Sequence, residues 1–164
     1  MPIALVSIYG SEKPVFEMHC RTLYRLLSER TVEQSISHRE MPSFNKHVEF
    51  AESKPYKEWW IIYNGPRAVG AAYITHKNEI GLFIFKEFIS KGYGSEALKF
   101  ILNNNKHITF YANISPNNYK SINFFKKHGF LYFSDMEHVQ YTYVYYSKTL
   151  YASPQLSQSE SVHE

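Results

Sequence analysis

The sequence predicts an α/β (α+β) domain built on a single mixed, mostly antiparallel central sheet flanked by helices, in the order β-α-α-β-β-β-α-β-α-β-β. Three observations predict it. Short runs rich in aromatic and β-branched residues recur between turn residues. Apolar residues return at helical spacing in four other segments. Glycine and proline separate the two kinds of segment.

Ile3-Ala4-Leu5-Val6-Ser7-Ile8-Tyr9 is β-rich and stops at Gly10, which makes it a strand. From Val15 to about Arg30, Phe16, Cys20, Leu23, Leu26 and Leu27 fall on one helical stripe. Residues 31–42 have no clear period and read as a loop. Ser43 is placed to cap a short helix through Phe50, with His47 and Phe50 on one face, and Pro55 follows its end. Trp59 to Tyr63, the turn Asn64-Gly65-Pro66, and Ala68 to Thr75 form a hairpin pattern, and Glu79 to Phe85 adds a third strand. Ser95 to Asn103 is helical, with Leu98, Ile101 and Leu102 on one stripe, and His107 to Ile114 is β again. Pro116 to His128 is a helix with Gly129 in the usual C-terminal position. Leu131 to Phe133 and Gln140 to Tyr146 close the chain as two antiparallel strands.

With 164 residues, the chain has the length of one domain, assigned to residues 1–150. Residues 151–164 are polar and low in complexity and are expected to be disordered. At 44% hydrophobic and 20% charged residues the composition is that of a globular protein. The 17% aromatic content fits strand packing. A net charge of +3 without a basic block favours a small anionic ligand over nucleic acid. One cysteine, Cys20, forms no internal disulfide, which fits a reducing compartment. No apolar run approaches the roughly 20 residues of a membrane span. The expected place is the cytoplasm, with no membrane partner.

The functional signal begins at Lys91-Gly92-Tyr93-Gly94-Ser95-Glu96-Ala97. Gly92 to Ala97 fits the dinucleotide pattern G-x-G-x-x-G/A. It follows three antiparallel-looking strands, however, and the next strand holds Asn113 where an acidic residue would be needed, so a Rossmann site does not follow. The P-loop pattern is absent. A glycine loop at a helix start still presents unpaired N–H groups and the positive end of the helix dipole to an anion. An ordinary strand-to-helix turn would show the same residues.

One helix and one strand further on stands "NISPNNYKSINFFKKHGF", Asn113 to Phe130. The two segments together resemble the Gcn5-related N-acetyltransferase (GNAT) superfamily, with its Gln/Arg-x-x-Gly-x-Gly/Ala loop, its Asn-x-x-Ala/Ser helix and its terminal Gly-Phe. The matching residues are Gly92 and Gly94, Asn118 with Ser121, and Gly129-Phe130. The element order agrees over roughly residues 3 to 150. The resemblance implies a GNAT-like fold and acetyl-CoA as acetyl donor. The pantetheine arm would lie along Leu82, Phe83, Ile84 and Phe85. The pyrophosphate would meet the N–H groups of Lys91, Gly92, Tyr93, Gly94 and Ser95, with Asn118 and Phe125 bordering the cofactor. Two positions depart from the family pattern. Ile89 stands where the loop has Gln or Arg, and Phe125 where a tyrosine commonly protonates the leaving thiolate.

Acyl transfer to an amine needs a base, a positioned carbonyl and release of the thiolate. Glu79, before the cofactor strand, is similar in place to a carboxylate that such enzymes use as base through water; a plain surface carboxylate at a strand start is the other reading. Asn113 is a candidate to orient substrate or water, or simply caps its strand. Tyr143 is the first alternative proton donor, ahead of Tyr141 and Tyr119. The eight histidines show no i, i+4 pair, so no metal is expected. There is no Gly-x-Ser-x-Gly elbow, and Cys20 reads as core.

"ISHREMPSFNKHVEF" resembles the matching region of acetyltransferases that act on nucleotide-linked amino sugars in surface-polysaccharide synthesis, through His47-x-x-Phe50. The resemblance places His38, Arg39 and His47 at a sugar or its diphosphate. A helix packing Phe44 and Phe50 inward with His47 half-exposed is the competing reading. Acetylation of a protein N-terminus, as in the ribosomal-protein branch, is the main enzymatic alternative, and a non-catalytic acyl-CoA-binding module is another. The partner is thus a small-molecule amine, and a homodimer is compatible with the sequence.

Overall fold

A computed structural model describes residues 2–31, 40–136 and 140–146. Its elements follow the expected order: β1 (Ile3–Ser7), α1 (Lys13–Ser28), α2 (Phe44–Glu52), β2 (Glu58–Asn64), β3 (Arg67–Ile74), β4 (Ile80–Ile84), α3 (Tyr93–Asn104), β5 (Phe110–Ile114), α4 (Tyr119–Lys127), β6 (Leu131–Met136) and β7 (Gln140–Tyr145). One turn of 3-10 helix, Lys86–Phe88, between β4 and α3 was not anticipated. The expected tail, 151–164, lies outside the described residues.

Local chemistry sets the helix ends. Pro14 opens α1, where a missing N–H costs nothing. Ser43 caps α2 by accepting from the Lys46 N–H at 3.3 Å. Gly92 supplies the left-handed residue (φ 84°) before α3, so that helix starts two residues earlier than its apolar stripe suggests. At the end of α4, the Phe130 N–H donates to the Phe125 carbonyl and the Gly129 N–H to that of Lys126, closing a Schellman motif around Gly129 (φ 91°).

The single sheet expected is divided into two antiparallel sheets, ordered β1-β2-β3-β4 and β5-β7-β6. One parallel bridge, Glu79 to Tyr111, joins them, with the Tyr111 N–H donating to the Asn78 carbonyl at 3.0 Å. Beyond that bridge β4 and β5 part, so the edge of β4 away from β3 has no strand partner among the described residues. Strand pairing depends on residues far apart in the chain, which is why composition and period do not reveal the division.

α1 and α2 cover the sheet face carrying Ala71, Tyr73 and Phe83. α3 packs on the Ile84 side, where its Gly94 comes close. The core between these layers is continuous, from Ile8, Cys20 and Leu23 through Ile61, Ile62 and Val69 to Leu98, Ile101, Phe110 and Phe130. No helix among the described residues is long and apolar enough to cross a membrane.

Candidate active site

The parting of β4 from β5 opens a groove of about 570 Å³. Leu82, Phe83 and Ile84 of β4 form one wall, and Asn118, Ser121, Phe124 and Phe125 of α4 form the other. Gly92, Tyr93, Gly94 and Ser95 lie at one end, where the first N–H groups of α3 have no partner within the helix. Helix, strand and α4 meet at Gly94, where a β-carbon would stand in ordinary contact, 3.6 Å from both Ile84 Cγ1 and the Phe124 ring. Lys86 and Lys120 bring positive charge from opposite walls, while Ile89, itself at the groove, brings none.

This arrangement offers a ligand three things. The open β4 edge presents backbone N–H and C=O groups to an arm that carries amides. The start of α3 offers N–H groups and dipole to phosphates. Asn118 frames the entrance while its Oδ1 accepts from the Ser121 N–H at 3.2 Å, so the signature asparagine also caps α4.

Two of the residues expected to meet the cofactor through their backbone, Phe85 and Lys91, keep their side chains out of the groove. Phe85 is fully buried, under the Arg25 guanidinium at 4.1 Å from its ring. It follows β4 directly, its N–H donates to the Val69 carbonyl at 3.0 Å, and its side chain does not line the groove. Lys91 is exposed with its ammonium 5.5 Å from the Phe88 ring, and its side chain does not line the groove.

A second cavity, of about 700 Å³, lies on the α1 and α2 side of β3 and β4. Leu26, Arg30 and Phe83 belong to both cavities, so they meet there. Arg30 marks the junction, its guanidinium 4.2 Å from the centre of the Phe83 ring. The second cavity is walled by aromatic rings: Phe50, Tyr56, Trp59, Tyr73 and Phe83. Tyr56 and Tyr73 stack with centroids 3.9 Å apart and planes 4° from parallel.

His47 also lines this cavity and is 5% exposed, whereas Phe50 is 45% exposed, so these two reverse the simple packing alternative while Phe44, partly buried against the core, keeps to it. The His47 Nε2 has no hydrogen-bond partner among the described residues. Burial lowers its pKa and holds the ring neutral. His38 and Arg39 lie outside the described residues.

Of the three residues expected to be catalytic, none lines either cavity. Glu79 is half-buried at the bridge to β5, its N–H donating to Thr75 Oγ1 at 3.0 Å, and the Thr75 hydroxyl lies 3.4 Å from its carboxylate. Asn113 accepts from the Thr142 hydroxyl at 2.9 Å across the β5–β7 ladder. Tyr143 is 4% exposed in β7, packed against Tyr132 at 5.8 Å. Arg30, Lys86, Lys120, Tyr56, Trp59 and Tyr73 were not singled out from the sequence. None stands in a local motif, and only the tertiary fold brings them to the two cavities.

Solved structures share this fold. An acetyltransferase from Thermus thermophilus aligns with a TM-score of 0.71 at 18% identity, covering 88% of this chain and 97% of its own. The ribosomal alpha-N-protein acetyltransferase RimL, in complex with coenzyme A, aligns with a TM-score of 0.72 at 14% identity, covering 89% and 94%. The spermidine N-acetyltransferase SpeG from Vibrio cholerae aligns with a TM-score of 0.68 at 15% identity, covering 92% and 96%. No curated protein matches the sequence. The family model described as "Acetyltransferase (GNAT) family" matches residues 20–130, which include most of α1, the whole β4 edge, the glycine loop and α4. The chain therefore belongs to the GNAT acetyltransferase family and is an N-acetyltransferase with acetyl-CoA as its donor.

Proposed function

We propose that the enzyme acetylates the primary amine of a nucleotide-linked amino sugar, of the kind used in surface-polysaccharide synthesis. His47 carries this reading. Its neutral ring lines the aromatic cavity, and its buried Nε2, without a hydrogen-bond partner among the described residues, has the choice of donating or accepting once a ligand reaches it. A sugar hydroxyl answers either choice, while an ammonium group only donates. Arg30 and Lys46 face the cavity against the single carboxylate of Glu40 among its described lining residues. That balance suits a diphosphate and opposes a polycationic acceptor. The rings of Tyr56, Tyr73 and Trp59 give flat faces for a sugar or base.

The groove residues fit the donor. The β4 edge takes hydrogen bonds along the arm, and Gly92 to Ser95 take the phosphates. Lys86 and Lys120 provide the cationic charge that Ile89 lacks. When bound, acetyl-CoA supplies the activated acetyl group. The chain's own part is to hold the amine at the junction beside Arg30 and Phe83 and to keep water out between α1 and β4.

The test is a thiol-release assay with acetyl-CoA against nucleotide-linked amino sugars, polyamines and a peptide mixture. Turnover is expected with a sugar, and His47→Ala should raise its KM about tenfold or more, the loss of a buried hydrogen bond. Acetylation of peptides or polyamines with none of the sugars would overturn the proposal.

A further inference from the structure

Acetyl transfer has to occur where the two cavities meet, so the group that handles the departing sulfur belongs there. Phe125 borders only the cofactor groove and has no proton to give. Among the described residues, the ionisable side chains lining the acceptor cavity are Arg30, Glu40, Lys46, His47, Tyr56 and Tyr73. Arg30 holds its protons too tightly to act as an acid. Glu40, Lys46 and His47 belong to α2 and the segment leading into it. Tyr73 belongs to β3, the strand paired with β4.

The position of the Tyr73 ring is decisive. Tyr73 and Gly81 are direct partners in the β3–β4 ladder. The Tyr73 Cζ lies almost where a β-carbon on Gly81 would stand, so the ring crosses over β4 through the space that the glycine leaves. The hydroxyl oxygen is one bond further on. That places it over β4, in the cavity that Tyr73 lines with Arg30 and Phe83, the residues at which the two cavities meet. Tyr56 stacks above it and is itself held at its backbone: the Tyr9 hydroxyl donates to the Tyr56 carbonyl at 2.9 Å and accepts from the Tyr56 N–H at 3.2 Å.

We infer that Tyr73 is the proton donor to the leaving sulfur, in the role that Phe125 cannot fill. Tyr73 gives its phenolic proton to sulfur as the carbon–nitrogen bond forms and the carbon–sulfur bond breaks. The proton shed by the amine nitrogen passes to water in the acceptor cavity, and water returns one to Tyr73, so the proton count closes. Three groups bear on the hydroxyl: Arg30 from the end of α1, Tyr56 from above, and Glu79 from just before β4. Burial raises its pKa most, Arg30 and Tyr56 oppose that rise, and Glu79 adds to it. The phenol therefore keeps its proton at neutral pH, as an acid must.

This inference rests on acetyl transfer and not on which amine is accepted. The first test needs no acceptor: calorimetric affinities of the wild type and Tyr73→Phe for coenzyme A and for desulfo-coenzyme A. The wild type should prefer the thiol about threefold to tenfold, the worth of one hydrogen bond. In Tyr73→Phe the preference should vanish while desulfo-coenzyme A binds as before. With an amine that turns over, kcat should fall about a hundredfold or more with the acetyl-CoA KM within about twofold. Gly81→Ala, which displaces the ring but keeps the hydroxyl, should act in the same direction. Equal wild-type affinities for the two ligands would overturn the inference, even if Tyr73→Phe fails to fold. So would a variant that keeps its thiol preference, or one that loses desulfo-coenzyme A as well, since that marks a structural role.

Discussion

The phenol oxygen of Tyr93 accepts a hydrogen bond from the Asn64 side-chain amide across 2.7 Å. One residue opens α3 at the phosphate end of the groove, and the other ends β2 at the hairpin turn. The bond ties the glycine loop to the far side of the sheet. Tyr93→Phe should leave the Asn64 amide short of a partner and cost about 1 kcal/mol in chemical denaturation. Acetyl-CoA affinity should fall a few-fold in the same variant, because the loop loses its tether; unchanged affinity would show that the loop is fixed without it.

Gly94→Glu should abolish cofactor binding while the fold survives. A β-carbon has room at 3.6 Å from Ile84 and Phe124, but the carboxylate beyond it would enter the groove where phosphates are expected. Titration calorimetry should show Kd raised at least tenfold, about 1.4 kcal/mol, with an unchanged circular dichroism spectrum.

Asn118→Ala removes the cap of α4 as well as a groove residue. A stability loss of about 1 kcal/mol, or roughly 2–4 °C in Tm, is expected from the cap alone. Asn118→Asp keeps the capping oxygen. It should recover the melting temperature but not the cofactor affinity, since it adds a negative charge beside the groove.

Two buried histidines predict how stability depends on pH. Burial lowers the pKa of both His19 and His47, and His19 Nδ1 has no partner among the described residues. The folded protein therefore binds fewer protons than the unfolded chain as pH falls through the ordinary histidine value of about 6.5. Stability is complete above that value and declines below it, towards the lowered folded pKa. The urea midpoint should be lower at pH 5.5 than at pH 7.5, and His19→Leu should flatten the difference. A midpoint flat over that range would contradict it.

Asn113 and Thr142 should behave as a structural pair. Asn113→Ala leaves the Thr142 hydroxyl without its acceptor and should cost about 1 kcal/mol. Thr142→Val added to it should recover part of that loss in a double-mutant cycle. A large fall in kcat from Asn113→Ala with stability unchanged would instead give Asn113 a part in the chemistry.

The order of elements was legible because each carries its own period and punctuation. The groove was largely legible too, since Gly92 and Asn118 each do local work at a helix end that only such residues perform well. The apolar run Leu82 to Phe85 does not by itself tell that Phe85 is buried while the three residues before it line the groove. Charge near a loop likewise says nothing of where the Lys91 side chain turns. The aromatic cavity could not be foreseen: Tyr56 precedes β2, Tyr73 lies on β3 and Arg30 follows α1, and nothing local links them. The empty place above Gly81 is legible only once the Tyr73 ring is seen to occupy it.

The unpaired edge of β4 has a consequence for how the protein behaves without its donor. Exposed backbone on a strand edge is a template on which other chains can add, the first step of many precipitates. Here the exposed run is short. The bridge at Glu79 closes one end, the turn at Lys86–Phe88 closes the other, and α4 stands across the gap. A thin flexible molecule can slide in and complete the ladder, while a second polypeptide, with side chains on both faces, meets Phe124 and Phe125 first. The same walls that shape the groove thus keep the empty enzyme from sticking to itself.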